Sequence, residues 1–258
     1  MDLIDGLRST GAIREFADRP VDARVIARVL DAARFAPNGG NQQAWHVIVV
    51  DDPAARRQIR DLYVEVWGEY LAQRAAGIQP WAPIGDRDAE AAAIAVAVER
   101  REAAAHEGVT LEIDDFADRF DEVPVMLVVL ADLRRLAALD RDLGRYTLVG
   151  GASVYPFVWS ILLAAHAEGL GGVITTMAIL REPALKSILA VPDEFAVAAV
   201  LALGHPLHRP TRLRRGAVSS FTTVDTFDGA RFADPPVAQT QPRVAHRGRS
   251  DADGAPND

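Results

Sequence analysis

Three short apolar runs constrain this chain more than any other feature. They are WHVIVV at residues 45–50, VPVMLVVL at 123–130 and FAVAAVLAL at 195–203. Each is continuous rather than alternating, so each reads as a strand buried on both faces. Between them the apolar spacing turns helical. Val25, Ile26, Val29, Leu30 and Ala33 recur at helix intervals within 22–36, with Asp22 placed as an N-cap. Pro53 suits the first turn of a second helix, whose stripe Ile59, Leu62, Tyr63, Val66, Trp67, Tyr70 and Leu71 closes near Gly77. An Ala- and Glu-rich helix is expected over 88–106, a strongly apolar one over 148–167, and a short one from Pro183 to Leu189. Buried strands separated by helices predict an α+β chain, with a three-layer α/β/α sandwich around a mixed sheet.

The organisation along the chain is one domain over residues 1–229. Its charged, weakly amphipathic stretch 85–121 reads as an insertion or lid. From residue 230 to 258 the sequence is Pro-, Asp- and Arg-bearing without periodicity, which predicts a disordered tail. At 258 residues the chain can bury a full core without cross-links. It has no cysteine, which excludes zinc–cysteine sites, iron–sulfur clusters and thiol chemistry. Its 28 basic and 36 acidic residues leave a formal charge of −8, the wrong sign for duplex nucleic acid or an anionic membrane. No apolar run approaches the roughly 20 residues of a membrane span, and MDLIDGLRST lacks a signal pattern; a cytoplasmic location is expected.

No phosphate-loop, nucleophile-elbow or dinucleotide fingerprint occurs in the sequence. His205 and His208 stand in a Pro-broken turn with no third ligand nearby, so no metal site is expected. Three other places carry chemistry. The first is Pro37–Trp45, PNGGNQQAW, where Gly39 and Gly40 allow close backbone approach and the amides of Asn38, Asn41 and Gln43 both donate and accept. It reads either as a cradle for a heterocycle edge or as an ordinary polar turn. The second is Arg209, Arg212, Arg214 and Arg215, where Arg212 and Arg214 share a side if the segment is extended. Two guanidinium forks there would hold a phosphate, and a solvated charge run is the plainer alternative. Arg14 is an isolated basic residue of the same kind. The third is Thr175, Thr176 and Met177, at a helix start where backbone amides are free to face a ligand, or where a short strand ends in a threonine cap.

AIREFADRPV, LDAARFAPNGGNQQAWHVIVV, AAHAEGLGGVITTM, VLALGHP and TRLRR, in this order and spacing, resemble the nitroreductase family of FMN-dependent oxidoreductases. The resemblance runs from about Leu7 to Arg215. It implies a mainly antiparallel sandwich and an interlocked homodimer with FMN at the interface. It implies that Arg14 contacts the ribityl phosphate, and that Asn38, Gly39, Gly40, Asn41 and Gln43 touch the phosphate, ribityl chain and ring edge. Thr175, Thr176 and Met177 would lie against the flavin ring, with the Thr176 amide donating to N5. Arg212 and Arg214 would complete the phosphate site. NAD(P)H would supply hydride, and a nitroaromatic, quinone or similar planar small molecule would accept it in a ping-pong cycle. No side-chain acid or base is required.

Two departures from the family's pattern stand out. Thr10-Gly11-Ala12 precede Arg14, where the family carries Arg-Arg-Ser or Arg-His-Ser, and Ala44 replaces a proline. A lost charge-assisted bond costs about 1.5–3 kcal/mol, which would weaken FMN binding about ten- to a hundredfold unless Arg8 substitutes. Tyr63, Trp67, Tyr70 and Trp81 are aromatic candidates for roofing a partner's site, although the first three also fall on the core stripe. Alternatives within the same fold are a dehalogenase or a deazaflavin-dependent enzyme. A non-catalytic flavin-storage protein is the alternative from another class.

Overall fold

The computed structural model describes residues 2–109, 114–210 and 213–232. The chain divides into two compact units, Met1–Leu213 and Arg214–Asp258. The first contains seven helices among the described residues: α1 (Leu3–Ser9), α2 (Ala23–Ala33), α3 (Pro53–Ala75), α4 (Arg87–Glu107), α5 (Asp115–Asp118), α6 (Tyr155–Ala167) and α7 (Glu182–Ile188). Its strands are β1 (Trp45–Val49), β2 (Val125–Asp132), β3 (Gly171–Thr175) and β4 (Phe195–Gly204).

Local chemistry sets most of the boundaries. The Asp22 carboxylate accepts the Arg24 N–H at 2.7 Å and starts α2. Asp52 does the same for Ala55 at 2.8 Å, with Pro53 in the first turn of α3. Asp86 opens α4, and Gly108 closes it in the left-handed region at φ 68°. The helix expected from residue 148 starts later. Residues 149–153 form a 3-10 turn containing Gly150 and Gly151, and α6 begins at Tyr155 with Pro156 in its first turn. The second strand begins at Val125 rather than Val123, because Pro124 has no N–H to give a ladder.

The sheet order is β1-β2-β4-β3, and every strand pair in it is antiparallel. Its parallel component is a single bridge, Ala12 to Gly172, alongside which Ile13 N–H donates to the Gly172 carbonyl at 2.9 Å. The register slips between Val129 and Leu130 of β2, where Ala199 and Val197 are their successive partners on β4.

Both faces of the sheet are covered. Leu127, Val129, Ala131, Leu201 and Leu203 pack beneath α2 and α6. Met126, Val128, Leu130, Val200 and Ala202 face Tyr63 of α3, Ala117 of α5 and Leu185 of α7. The result is a three-layer α/β/α sandwich of helices and antiparallel sheet. Helix α4 lies outside these layers and packs along α3. In the second unit, Val218–Ser220 form a 3-10 turn and Thr223 bridges Arg231. The tail expected from residue 230 lies almost wholly outside the described residues, which end at Phe232.

Candidate functional site

The segment 37–43 is a strained, self-braced loop. Gly40, Asn41 and Gln43 all have positive φ, at 58°, 52° and 48°. Glycine and asparagine tolerate that region, but a glutamine there is sustained only where the surroundings fix it. The bracing is visible. Asn38 Oδ1 accepts the Gln43 N–H at 2.8 Å, and its Nδ2 donates to the Ala36 carbonyl at 3.2 Å. Gly39 N–H donates to Ser153 Oγ at 3.0 Å, and the Arg135 guanidinium holds the Gln42 carbonyl. The Asn38 amide is therefore spent inside the loop. The Asn41 and Gln43 side chains are exposed and make no hydrogen bond among the described residues, so their amides face outward.

Thr175, Thr176 and Met177 join β3 to a 3-10 turn, Met177–Arg181. Thr175 is buried, and its hydroxyl accepts the Met177 N–H at 3.4 Å. Burial pushes the Tyr63 phenol up, with the Thr175 hydroxyl opposing. Thr176 is exposed at the start of the turn, and Met177 is half-buried against the α3 side of the core.

Arg14 is exposed, with its guanidinium 6.0 Å from the centre of the Phe116 ring. It lines a cavity of about 1000 Å³ between residues 14–20, the start of α3 and α5. The cavity's walls carry the guanidiniums of residues 14, 19, 56, 57 and 119 and the carboxylates of residues 15, 18, 51, 114, 115, 121 and 122. Five cations against seven anions leave its lining net acidic.

Pro210 and Leu213 lie against the segment before Arg14, since a side chain on Gly11 would collide with both. Arg209 is committed to the backbone, donating to the Gly169 and Leu170 carbonyls at 3.1 and 3.0 Å. Arg212 lies outside the described residues, and Arg214 opens the second unit. Thr10 stands in the stretch where the resemblance places a basic residue, but it faces inward. Its hydroxyl donates to the Gly6 carbonyl at 2.7 Å and therefore accepts from His166 Nδ1, also at 2.7 Å. Burial, then Arg209, holds the His166 imidazole below its usual pKa. Arg8 is exposed in the last turn of α1.

The 37–43 loop and Arg14 do not meet in a single chain. The 37–43 loop leads into Trp45, which pairs with Ala131, itself opposite Ala196. Arg14 follows the Gly172 bridge, and Gly172 pairs with Leu203. The seven residues from Ala196 to Leu203 span about 23 Å of strand. The loop and Arg14 thus occupy opposite ends of the sheet.

A family model described as the nitroreductase family matches residues 7–205. The chain belongs to that family. It is 30% identical to a nitrobenzene nitroreductase of Ectopseudomonas oleovorans over 210 residues, covering 78% of this chain and 85% of the other. It is also 30% identical to a 5,6-dimethylbenzimidazole synthase of Rhodobacter capsulatus over 206 residues, covering 79% and 83%. Among solved structures it resembles an oxidised iodotyrosine deiodinase bound to FMN and 3-iodo-L-tyrosine. The TM-score is 0.57 at 21% identity, over 88% of this chain and all of the other. Nitroreductase-family membership makes this chain an oxidoreductase by its relatives; those relatives catalyse different reactions.

Sequence reasoning missed one part of this region. Tyr63, Trp67, Tyr70 and Trp81 stack in series within the chain, with centroid separations of 6.0, 4.8 and 6.3 Å. The structure therefore places all four in a ladder along α3 and its C-terminal turn. Glu65 and Glu69, four apart on the same helix, both reach Arg181. The legible signal was two carboxylates interleaved with an apolar helix stripe. No group of three or more His, Asp or Glu converges among the described residues in a way that suits a metal ion.

Proposed function

We propose that this chain is a cytoplasmic FMN-dependent oxidoreductase working as a homodimer, with each flavin held between two copies. The observation that supports this reading best is the separation of the matched groups. One copy presents Arg14 and a second presents the 37–43 loop, so that a pair of chains encloses what one chain leaves apart. Exposed apolar side chains between β2 and α6 support association, with Leu139 85%, Leu148 71% and Tyr146 67% exposed.

The residues present fit a flavin by their donor chemistry. Arg14 is an exposed cation for the phosphate end, with Arg212 and Arg214 assigned to the same role. The outward amides of Asn41 and Gln43 suit a ring edge that alternates donors and acceptors. Gly39 and Gly40 let the main chain approach closely, while Asn38 keeps the loop in shape. Thr175 fixes the start of the turn, Thr176 offers its N–H toward N5, and Met177 supplies an apolar wall. When bound, the flavin supplies the hydride chemistry, with NAD(P)H as donor and a planar electron-poor acceptor such as a nitroaromatic or quinone. The chain's own part is to orient the ring, exclude water, and set fixed N–H dipoles where negative charge develops. Residues 85–121, whose α4 lies along α3, are our candidate for a lid.

A second reading is reductive dehalogenation or another reaction of the same fold, favoured by the likeness to the deiodinase structure and to the dimethylbenzimidazole synthase. The test is anaerobic titration of FMN-loaded protein with NADH and NADPH. Bleaching of the flavin bands, restored by a nitroaromatic or quinone, is the expected result. Flavin that neither nucleotide reduces sinks the nicotinamide-dependent reading and leaves the storage or deazaflavin alternatives.

A further inference from the structure

The 3-10 turn that begins at Met177 packs along α3 and is gripped at its far end by that helix. At its start, the Met177 N–H donates to the Thr175 hydroxyl at 3.4 Å. At its end, Arg181 reaches two carboxylates of the same helix: Nη2 stands 2.9 Å from Glu65 Oε1 and 2.5 Å from Glu69 Oε1, and Nε donates to Glu65 at 3.1 Å. Between these ends the turn closes on itself, the Ile179 N–H donating to the Thr176 carbonyl at 3.1 Å. The Glu69 side chain is only 3% exposed, whereas those of Glu65 and Arg181 are each 29% exposed.

Burying a carboxylate this deeply carries a desolvation penalty that one ion pair seldom exceeds, so the pair is a poor device for stability alone. It is a good device for fixing geometry. Two carboxylates on successive helical turns define the position of one planar guanidinium, and a fork so held has little freedom. Helix α4 joins the same network, since its Arg101 lies 3.3 Å from Glu65. Two arginines and two glutamates then form a neutral cluster linking α3, α4 and the turn. The turn's first exposed residue is Thr176.

We infer that Arg181, held by Glu65 and Glu69, is a positioning residue that fixes the Thr176 backbone N–H for the cofactor ring. This role rests on the flavin reading proposed above and deepens it. Arg181 itself touches neither ring nor substrate. It acts through the five-residue turn, and α4 is coupled to that turn through their shared partner Glu65.

The experiment compares the purified wild-type chain with Arg181→Met and Arg181→Lys. Amide hydrogen exchange of the peptide covering residues 176–182 is measured without added cofactor, and the midpoint potential of bound FMN is measured after loading. Arg181→Met is expected to speed exchange in that peptide at least tenfold while β2 and β4 keep their protection. The bound flavin becomes harder to reduce by a tenfold change in the oxidised-to-reduced affinity ratio, about 30 mV for two electrons. Arg181→Lys restores part of both effects. Unchanged exchange and potential in Arg181→Met overturn the role, as does a uniform rise in exchange across the whole first unit, which marks plain destabilisation. If Arg181→Met does not fold, Glu65→Gln, which leaves the Glu69 pair in place, is read by the same two measurements and the same criteria. Wild-type protein that holds no FMN overturns the cofactor reading and this role together; wild-type protein that holds FMN beside an unaltered variant overturns this role alone.

Discussion

Thr10 is the residue at which the resemblance and the structure are in most tension. The stretch in which the family carries a phosphate arginine here holds a residue only 8% exposed, its hydroxyl bonded to both the Gly6 carbonyl and His166. Thr10→Val leaves the imidazole without its hydroxyl partner, while the Gly6 carbonyl keeps the backbone N–H of residue 10, so it should cost about 1–2 kcal/mol of stability in chemical denaturation. Because that hydroxyl points inward, FMN affinity in a binding titration should stay within about twofold. Arg14→Met should instead weaken FMN about ten- to a hundredfold with little change in stability. Asp140 sets a pH dependence. The Leu148 N–H at 2.7 Å, first, and then the Arg145 guanidinium hold its carboxyl below the usual range, with burial opposing. A depressed carboxyl stabilises the fold above the unfolded value of about 3.9, and that contribution fades as pH falls through the lower folded value. Denaturant midpoints should therefore drop below about pH 4 in the wild-type chain and change less with acid in Asp140→Asn.

Elements whose apolar pattern is continuous or clearly helical were legible from sequence. β1, β2 and β4 follow from their runs, α2 from its stripe and Asp22 cap, α3 from its stripe and Pro53, and α4 from its composition. β3 was not, because GGVIT is as consistent with a ligand-facing turn as with a strand until a partner strand is in place. What makes it a strand is close approach. A side chain on Gly172 would strike the Ala202 carbonyl and the Leu203 side chain, so only glycine lets β3 lie against β4 and accept the Ile13 N–H. Gly172→Ala should shift this pairing and lower the melting temperature by several degrees, with loss of amide protection concentrated in residues 171–175. The 37–43 loop shows the reverse case. Its turn character and its outward amides were both readable, but Asn38's inward role depends on Gln43 and Ala36 being brought back by the positive-φ residues.

At the scale of the whole molecule, the sandwich and the family were legible because core periodicity and motif order survive in one dimension. The assembly of the site was not, because residues 14 and 38–43 are joined only through sheet register, and that register sends them to opposite ends. The Arg181 cluster was hidden for a related reason: its partners are more than 100 positions apart in the chain. The shared flavin we propose rests on this separation and on the exposed apolar segment between β2 and α6. Leu139→Asp and Leu148→Asp together should therefore yield a folded monomer that has lost FMN, seen as an unchanged circular dichroism spectrum and a colourless peak. The most direct measurement is light scattering of the FMN-loaded wild-type chain during gel filtration, with flavin absorbance followed across the peak. The account predicts a single yellow species of two chains carrying two flavins. A yellow monomer with one tightly held flavin per chain would contradict the shared site, and a colourless dimer would contradict the cofactor.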